Sequence, residues 1–338
     1  MKLVLFILGI VGAHEHHSHD HQKCGTDALH MENMKNATFA EKWYAREAKV
    51  KAAVVKAKRE RKVRRQMIPI PVAVHFPSSS GFTGSESDRD CFEALVQSQI
   101  DVLNKDFTFT NADNSLWYSV SQYFPNTNPG NLPVLFFVPV QNHPPNYGLI
   151  EGRPLITFNY NFGNGEDYDA DWAGYLNIVV KPLSGNLLGF SPLGGDVDAG
   201  YAVTLTLSAF GSGSGCGNVQ PSATSSLGRV TTHEIGHFFL LRHVWGDAYG
   251  CAQDDGLADT PASYDENYGC PAITPSGCVP GEYDLHMNYM DYSDDACMYM
   301  FTQDQAELMY EYAKLQNFRS VLPLLPPFSP LPPAPPPS

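Results

Sequence analysis

The chain has 338 residues, of which 22 are basic and 36 are acidic, so its formal net charge is −14. This acidic balance disfavours binding to nucleic acid, whose phosphates attract basic surfaces. Beyond the amino terminus no run of about 18 apolar residues occurs, so the sequence predicts no segment that crosses a membrane.

The amino terminus predicts export from the cell. Residues 1–13 combine one lysine, an apolar run and small residues before Ala13, which is the pattern of a signal peptide cleaved near Ala13. An exported chain reaches the compartment in which disulfides persist, so we expect a secreted, extracellular protein. The histidine-rich residues 14–21 indicate a disordered polar leader, or alternatively a copper or nickel site if His16 becomes the third residue.

Residues 14–65 precede a region of opposite charge. Residues 1–65 carry 14 basic and 7 acidic side chains, a net of +7, whereas residues 66–338 carry a net of −21. This contrast favours an electrostatic contact between the two parts, as an intramolecular inhibitor would make. The tract from Arg61 to Arg65 predicts cleavage by a processing protease with dibasic or trypsin-like specificity. Its alternative interpretation is a nucleic-acid or heparin-binding patch.

The remaining residues predict an α+β fold. Apolar spacing and β-branched content predict four strands, at residues 68–76, 132–140, 175–180 and 202–207. The spacing also predicts three helices, at residues 88–104, 227–241 and 303–315. We expect strand 175–180 to be an edge strand that pairs with a substrate backbone. The proline-dominated residues 320–338 predict an extended tail.

The middle helix carries the motif H-E-x-x-H from His233 to His237, and His243 follows six residues later. Residues four apart on a helix project from the same face, so His233 and His237 can bind one zinc ion. His243 supplies a third nitrogen and leaves the fourth position open for water, as a catalytic site requires. Glu234 can then act as the general base for a water whose pKa zinc lowers to about 7.

Residues 288–292 read N-Y-M-D-Y, and with the zinc motif they resemble the metzincin metalloproteases of the pappalysin group. The pattern extends over most of residues 68–319. The resemblance implies that Met290 lies in a tight turn as the hydrophobic floor below zinc, and that Tyr292 stabilises the tetrahedral intermediate. It also implies a twisted mixed sheet with a backing helix and a zinc-site helix, above an irregular lower subdomain stapled by disulfides.

The seven cysteines fit the same resemblance. It implies two disulfides in the lower subdomain and, by elimination, a third pair, with one cysteine left over. A pro-segment Cys-Gly pair in such proenzymes places its thiol on zinc and excludes water, which is a cysteine switch. The alternatives for the seventh cysteine are a lone thiol or an intermolecular disulfide. The implied pairs are Cys251 with Cys278, Cys270 with Cys297, and Cys91 with Cys216, and the seventh cysteine is Cys24.

One residue departs from the family pattern, because metzincins carry glycine where this chain has Leu240. A left-handed conformation there would cost a leucine about 1 to 2 kcal/mol, so the path to His243 is in question. The substitute ligand would be Asp247, Asp255 or Asp259. The acidic cluster of Asp254, Asp255 and Asp259 also has the oxygen chemistry that calcium prefers, and the resemblance implies structural calcium there, with a solvated acidic loop as the alternative.

The sequence therefore predicts a secreted zinc-dependent endopeptidase made as a latent proenzyme, acting on protein or peptide substrates. The expected boundaries are a signal peptide at 1–13, a pro-segment at 14–65, a catalytic domain at 66–319 and the tail at 320–338. The alternative is a catalytically impaired secreted binding protein on a degenerate metzincin fold. Leu240 suggests this alternative, because it departs from the family pattern.

Overall fold

The computed structural model describes residues 24–60, 65–246 and 250–321. The expected signal peptide, the histidine-rich leader, Asp247 and nearly all of the proline-rich tail lie outside the described residues. Only Arg65 of the expected processing tract is described. None of the helices in the described part of the chain is long and apolar enough to cross a membrane.

The body of the molecule is a mixed sheet of six strands with helices packed against it. The strands are β1 (Ile68–Phe76), β2 (Val134–Phe137), β3 (Ile156–Phe158), β4 (Leu176–Val180), β5 (Gly189–Phe190) and β6 (Ala202–Leu205). Their order is β2-β1-β4-β6-β5, with β3 also paired to β1. All pairs are parallel except β5 with β6, which is antiparallel.

This order corrects one expectation. Strand β4 was expected to be an edge strand, but it lies between β1 and β6 in the sheet interior. All five of its residues are buried, and four of them are apolar, as is typical of a central parallel strand. One edge of the sheet is instead β5, a two-residue strand that was not predicted from the sequence.

In the described part of the chain, six α-helices accompany the sheet: α1 (Thr26–Met34), α2 (Ala37–Glu60), α3 (Glu86–Phe107), α4 (Trp117–Val120), α5 (Arg229–Phe238) and α6 (Gln303–Ala313). Helix α3 is the backing helix, in contact with both β2 and α5. The side chain of Ser85 accepts a hydrogen bond from the backbone N–H of Asp88 and so caps its start. Helix α6 begins with a capping box formed by Thr302 and Gln305.

The main core lies between one face of the sheet, α3 and α5. Alternate β1 residues, among them Ile70, Val72 and Val74, point into it, and Phe92 and Ile100 of α3 meet them there. A second apolar cluster covers the opposite face. Both faces of β1 are therefore buried, and the zinc-motif helix α5 is held rigidly within the main core, where every one of its ten residues is buried.

Three disulfides cross-link the molecule; two are the pairs that the family resemblance implied, and the third is the pair that elimination left. Two of them close loops in the irregular region between α5 and α6, which has little regular structure to hold it. The third ties α3 to the glycine-rich segment that precedes α5. The pairs are Cys251–Cys278, Cys270–Cys297 and Cys91–Cys216.

Candidate metal centre and active site

Three imidazoles converge beside α5. His237 Nε2 lies 3.1 Å from His233 Nε2 and 3.1 Å from His243 Nε2. His233 and His237 project from one face of α5, and His243 comes from the chain just after the helix. All three rings are buried, with exposures of 4% or less.

Hydrogen bonds at the outer nitrogens decide which ring nitrogen carries a proton. His233 Nδ1 lies 2.6 Å from the carbonyl oxygen of Tyr289, and His237 Nδ1 lies 2.7 Å from that of Leu241. A carbonyl only accepts, so both Nδ1 atoms are donors and both Nε2 atoms present lone pairs. His243 Nδ1 likewise faces the carboxylate of Asp27, at 3.0 Å.

This geometry fits a metal ion. Because His237 Nε2 lies 3.1 Å from each of the other two Nε2 atoms, the lone pairs on these nitrogens repel one another unless a cation lies between them. Neutral imidazole nitrogens are preferred zinc ligands, and burial lowers the pKa of His237 well below its usual value, which keeps that ring neutral. The Cys24 thiol completes the group, because the four candidate ligand atoms lie within 4.8 Å of one another.

The chain reaches His243 through a left-handed residue. Leu240 has φ +76°, and the N–H groups of Leu240 and Leu241 donate to the carbonyls of His237 and Gly236. These two bonds form a Schellman motif, which usually has glycine where this chain has leucine. Leu240 therefore adopts the conformation that the family's glycine would adopt, and His243 joins the other two histidines.

Glu234 follows the first histidine and lies directly beside the cluster. Its carboxylate is fully buried, and burial raises its pKa to about 8. One oxygen lies 3.5 Å from the Cys24 thiol and accepts a hydrogen bond of 3.2 Å from the Thr26 hydroxyl. Position 189, which faces Glu234, requires glycine, because a Cβ on Gly189 would lie 2.9 Å from Glu234 Cγ.

Met290 packs against α5, and the Tyr292 ring lies beside His243. A Cβ on Gly236 would approach the Met290 sulfur to 2.5 Å, so glycine in the zinc motif lets this methionine pack directly against α5. The Tyr292 ring lies 5.0 Å from the His243 ring, and its hydroxyl donates to the Cys24 carbonyl over 3.5 Å.

The expected calcium residues do not form a comparable group. The Asp255 carboxylate accepts from the Leu257 N–H and the Thr260 hydroxyl, and Asp259 accepts from the Thr302 hydroxyl and the Asp304 N–H. Within the described ranges, the histidine and cysteine group above is the one set of three or more such side chains gathered closely enough to hold an ion. The interpretation of Asp254, Asp255 and Asp259 as a calcium site stays a prediction.

Sequence reasoning missed a buried charge network under the start of α5. Arg229 donates to both carboxylate oxygens of Asp113, at 2.6 and 2.7 Å, and to the main-chain oxygen of Asp295. Asp106 accepts from the Thr232 hydroxyl, and burial raises its pKa to about 6. No spacing in the sequence identifies this network, because its members come from four separate segments.

Comparison with known proteins identifies the family. The profile of the family described as Pregnancy-associated plasma protein-A, peptidase family M43, matches residues 217–314. Mature mirolysin of Tannerella forsythia, solved in complex with a cleaved peptide, is 30% identical, with a TM-score of 0.58 over 73% of this chain and 91% of mirolysin. The chain belongs to the pappalysin family of metalloproteases.

Further relatives match larger or smaller parts of the chain. A mutant form of Tannerella forsythia promirolysin is 29% identical, with a TM-score of 0.65 over 88% of this chain and 95% of that one. Proteins named extracellular metalloprotease from Arthroderma benhamiae and Verticillium alfalfae are 47% and 38% identical over 79 and 138 residues, or 23% and 38% of this chain. These two matches span only 29% and 46% of the relatives' own length.

Proposed function

We propose that this pappalysin is a secreted zinc-dependent endopeptidase synthesised as a latent proenzyme. The convergence of the three Nε2 atoms of His233, His237 and His243 beside the Glu234 carboxylate carries the proposal. A bound zinc ion would supply Lewis acidity, polarising the scissile carbonyl and lowering the pKa of water. The protein's own residues then handle the protons and the substrate.

Glu234 is the general base in this proposal. Its carboxylate, which is buried beside the three histidines, can take a proton from the attacking water and deliver it to the leaving amine. Tyr292 is placed to donate a hydrogen bond to the scissile carbonyl oxygen as negative charge develops there. In the structure the Tyr292 hydroxyl donates to the Cys24 carbonyl, which supports a donor role toward a substrate carbonyl.

Latency follows from what residues 24–27 contact. The Cys24 thiol lies against the three histidines, and the Thr26 hydroxyl donates to Glu234. The Gly25 N–H donates to the Gly189 carbonyl on edge strand β5, at 2.9 Å, where an extended substrate would pair. The pro-segment thus covers the ligand position, the base and the substrate edge, so a peptide cannot enter.

The proposed boundaries and location have separate supports. Promirolysin, a pro-form by its name, aligns with 88% of this chain and mature mirolysin with 73%, which supports a pro-segment at 14–65 and a catalytic domain at 66–319. Relatives named extracellular metalloprotease support secretion. The mirolysin complex with a cleaved peptide supports peptide substrates, and Arg61 to Arg65 is the proposed cleavage tract for a processing protease.

The test uses the full chain, secreted from a eukaryotic host and cleaved after Arg65. We expect one zinc ion per chain by elemental analysis and hydrolysis of a peptide library. Glu234→Ala should keep its zinc and lose activity by a factor on the order of 10² to 10⁴, the usual contribution of a general base. Absence of stoichiometric zinc, or full activity in the variant, would rule the proposal out.

A further inference from the structure

The three candidate zinc ligands differ in what holds their outer nitrogens. His233 and His237 donate from Nδ1 to main-chain carbonyls of Tyr289 and Leu241, which belong to the proposed catalytic domain. His243 is different, because its Nδ1 lies 3.0 Å from the carboxylate of Asp27. Asp27 belongs to the proposed pro-segment.

Packing alone does not orient the His243 ring. The indole of Trp245 stacks on it at 4.4 Å, with the two planes 5° apart, and the Tyr292 ring approaches it edge-on. Stacking fixes the plane of an imidazole but leaves open which nitrogen points inward. The bond from Nδ1 to Asp27 settles that choice and directs the Nε2 lone pair to the other two histidines.

Asp27 is itself held firmly in place. It lies in the first turn of α1, one residue after Thr26, whose hydroxyl donates to Glu234 and accepts from the Ser191 N–H. Gly25, two residues earlier, is fixed to edge strand β5. The carboxylate side chain is 29% exposed, whereas the His243 side chain is fully buried.

We propose that Asp27 is a positioning residue of the zinc site, which orients His243 and strengthens zinc binding as long as the pro-segment is attached. This inference rests on the zinc site of the proposed function. Carboxylates that accept from a metal-binding histidine fix its tautomer and raise its basicity, and their loss typically weakens metal binding by about 10- to 100-fold. The pro-segment therefore both blocks the site and stabilises its loaded form, and processing weakens zinc retention.

The experiment measures zinc affinity of the unprocessed full chain by competition with a chelating dye. All proteins carry Cys24→Ala, so that the thiol does not dominate binding. Asp27→Ala should raise the zinc dissociation constant by about 10- to 100-fold, and Asp27→Glu should restore part of the loss. The matched control is Glu41→Gln, an exposed acid on helix α2, which should bind zinc like the parent. The visible spectrum of the Co²⁺-loaded protein should change in Asp27→Ala and not in the control.

The outcomes separate this inference from the proposed function. A parent that binds zinc tightly, paired with an Asp27→Ala variant of equal affinity and unchanged Co²⁺ spectrum, overturns the role of Asp27 and leaves the protease proposal standing. A loss in Asp27→Ala that Asp27→Glu does not relieve also overturns it, because the carboxylate would then not be the cause. A parent without zinc affinity overturns both proposals. Thermal unfolding of each variant identifies any that fail to fold.

Discussion

Leu240 adopts a backbone conformation that glycine usually adopts. Its φ of +76° lies in the left-handed region, at a cost to a leucine of about 1 to 2 kcal/mol. Its side chain is only 6% exposed and belongs to the main core. Gly194 makes room for it, since a Cβ there would lie 2.8 Å from Leu240 Cδ1. Burial of the leucine side chain, about 1.5 to 3 kcal/mol, offsets the backbone cost.

This balance predicts how two substitutions at Leu240 differ. Leu240→Ala keeps the left-handed strain and loses the burial, so it should destabilise the chain by about 2 to 5 kcal/mol. Leu240→Gly also loses the burial but relieves the strain, so it should be more stable than the alanine variant by about 1 kcal/mol. Urea unfolding measures both free energies.

The glycine variant also bears on the alternative of a degenerate, non-catalytic protein. Because Leu240 already adopts the left-handed conformation, restoring glycine should change the peptidase activity of the processed chain little. A large gain of peptidase activity over an inactive parent would instead support the degenerate, non-catalytic alternative.

Cys24 should account for part of the latency. Cys24→Ala removes the thiol from the histidines, but Gly25, Thr26 and helix α2 keep their contacts with the body. We therefore expect unprocessed Cys24→Ala to hydrolyse peptides about tenfold faster than unprocessed wild type, a difference of about 1.4 kcal/mol, and to remain slower than the processed chain. Fluorogenic peptide assays measure this. Glu41→Gln should stay as latent as wild type, and latency undiminished in Cys24→Ala would exclude the switch.

At the scale of elements, strand β1 has a buried histidine that makes stability depend on pH. The His75 side chain has no contact with solvent, and its ring nitrogens meet the Thr157 hydroxyl at 2.9 Å and the Asn177 side-chain oxygen at 3.2 Å. Burial lowers its pKa to about 4. The unfolded chain protonates this group near 6.5, so its contribution to stability is complete above that pH and is lost as pH falls toward 4.

This contribution amounts to about 3 kcal/mol between pH 6.5 and 4. In His75→Gln, which cannot titrate, the free energy of unfolding should fall less over this range than in wild type, by about that amount. Urea unfolding at several pH values from 7 to 4 on both chains provides the measurement. Equal pH dependence in the two chains would show that His75 does not remain neutral in the folded state.

The elements with a strong pattern were predictable and the short ones were not. Strand β1 was predicted with its observed bounds, and helix α3 was predicted two to three residues short at each end. Strands β3 and β5, of three and two residues, are too short for a period to be visible. The order of the strands was also hidden, because the sequence shows that β4 is mostly apolar but not which strands flank it. Helices α1 and α2 were not predicted, since residues 14–65 were interpreted through their charge.

The site residues likewise differ in how far the sequence predicts them. His233, His237, His243 and Glu234 follow a fixed spacing on a helix, so the sequence predicts their convergence. Contacts between distant segments, such as Asp27 with His243 or Arg229 with Asp113, depend on tertiary packing, and no local pattern encodes them.

At the scale of the whole molecule, ion pairs connect the basic proposed pro-segment to the acidic remainder of the chain. They join Arg46 to Asp196, Lys58 to Asp304 and Arg65 to Glu307. These side chains are partly exposed, and such pairs contribute about 0 to 1 kcal/mol each. The charge pattern therefore indicates where the pro-segment lies, while the strength of its attachment requires a buried contact.

Trp43 provides such a buried contact, in addition to the contacts of Cys24 and Thr26 with Glu234. Its side chain is 4% exposed, its indole N–H donates to the Leu193 carbonyl at 2.8 Å, and the guanidinium of Arg242 lies over its ring. Next to Leu193, the N–H groups of Gly194 and Gly195 donate to the carbonyls at the end of α5. Trp43 thus docks the pro-segment onto the segment that caps the zinc-motif helix.

We expect the cleaved pro-segment to stay bound to the body mainly through Trp43. After cleavage at Arg65, Trp43→Ala should speed its release by about 100-fold or more, since truncating a buried tryptophan costs about 3 to 5 kcal/mol. Raising the salt concentration to about 1 M, which shortens the Debye length to about 3 Å, should change release by less than about tenfold. Size-exclusion chromatography of the cleaved chain follows the release.

Tyr44→Ala is the matched control, because the neighbouring Tyr44 is 57% exposed and its loss should leave retention of the cleaved pro-segment near wild type. Release driven by salt alone, with Trp43→Ala retained like Tyr44→Ala, would mean that the ion pairs hold the pro-segment and that its opposite charge, not its buried tryptophan, sets the strength of inhibition.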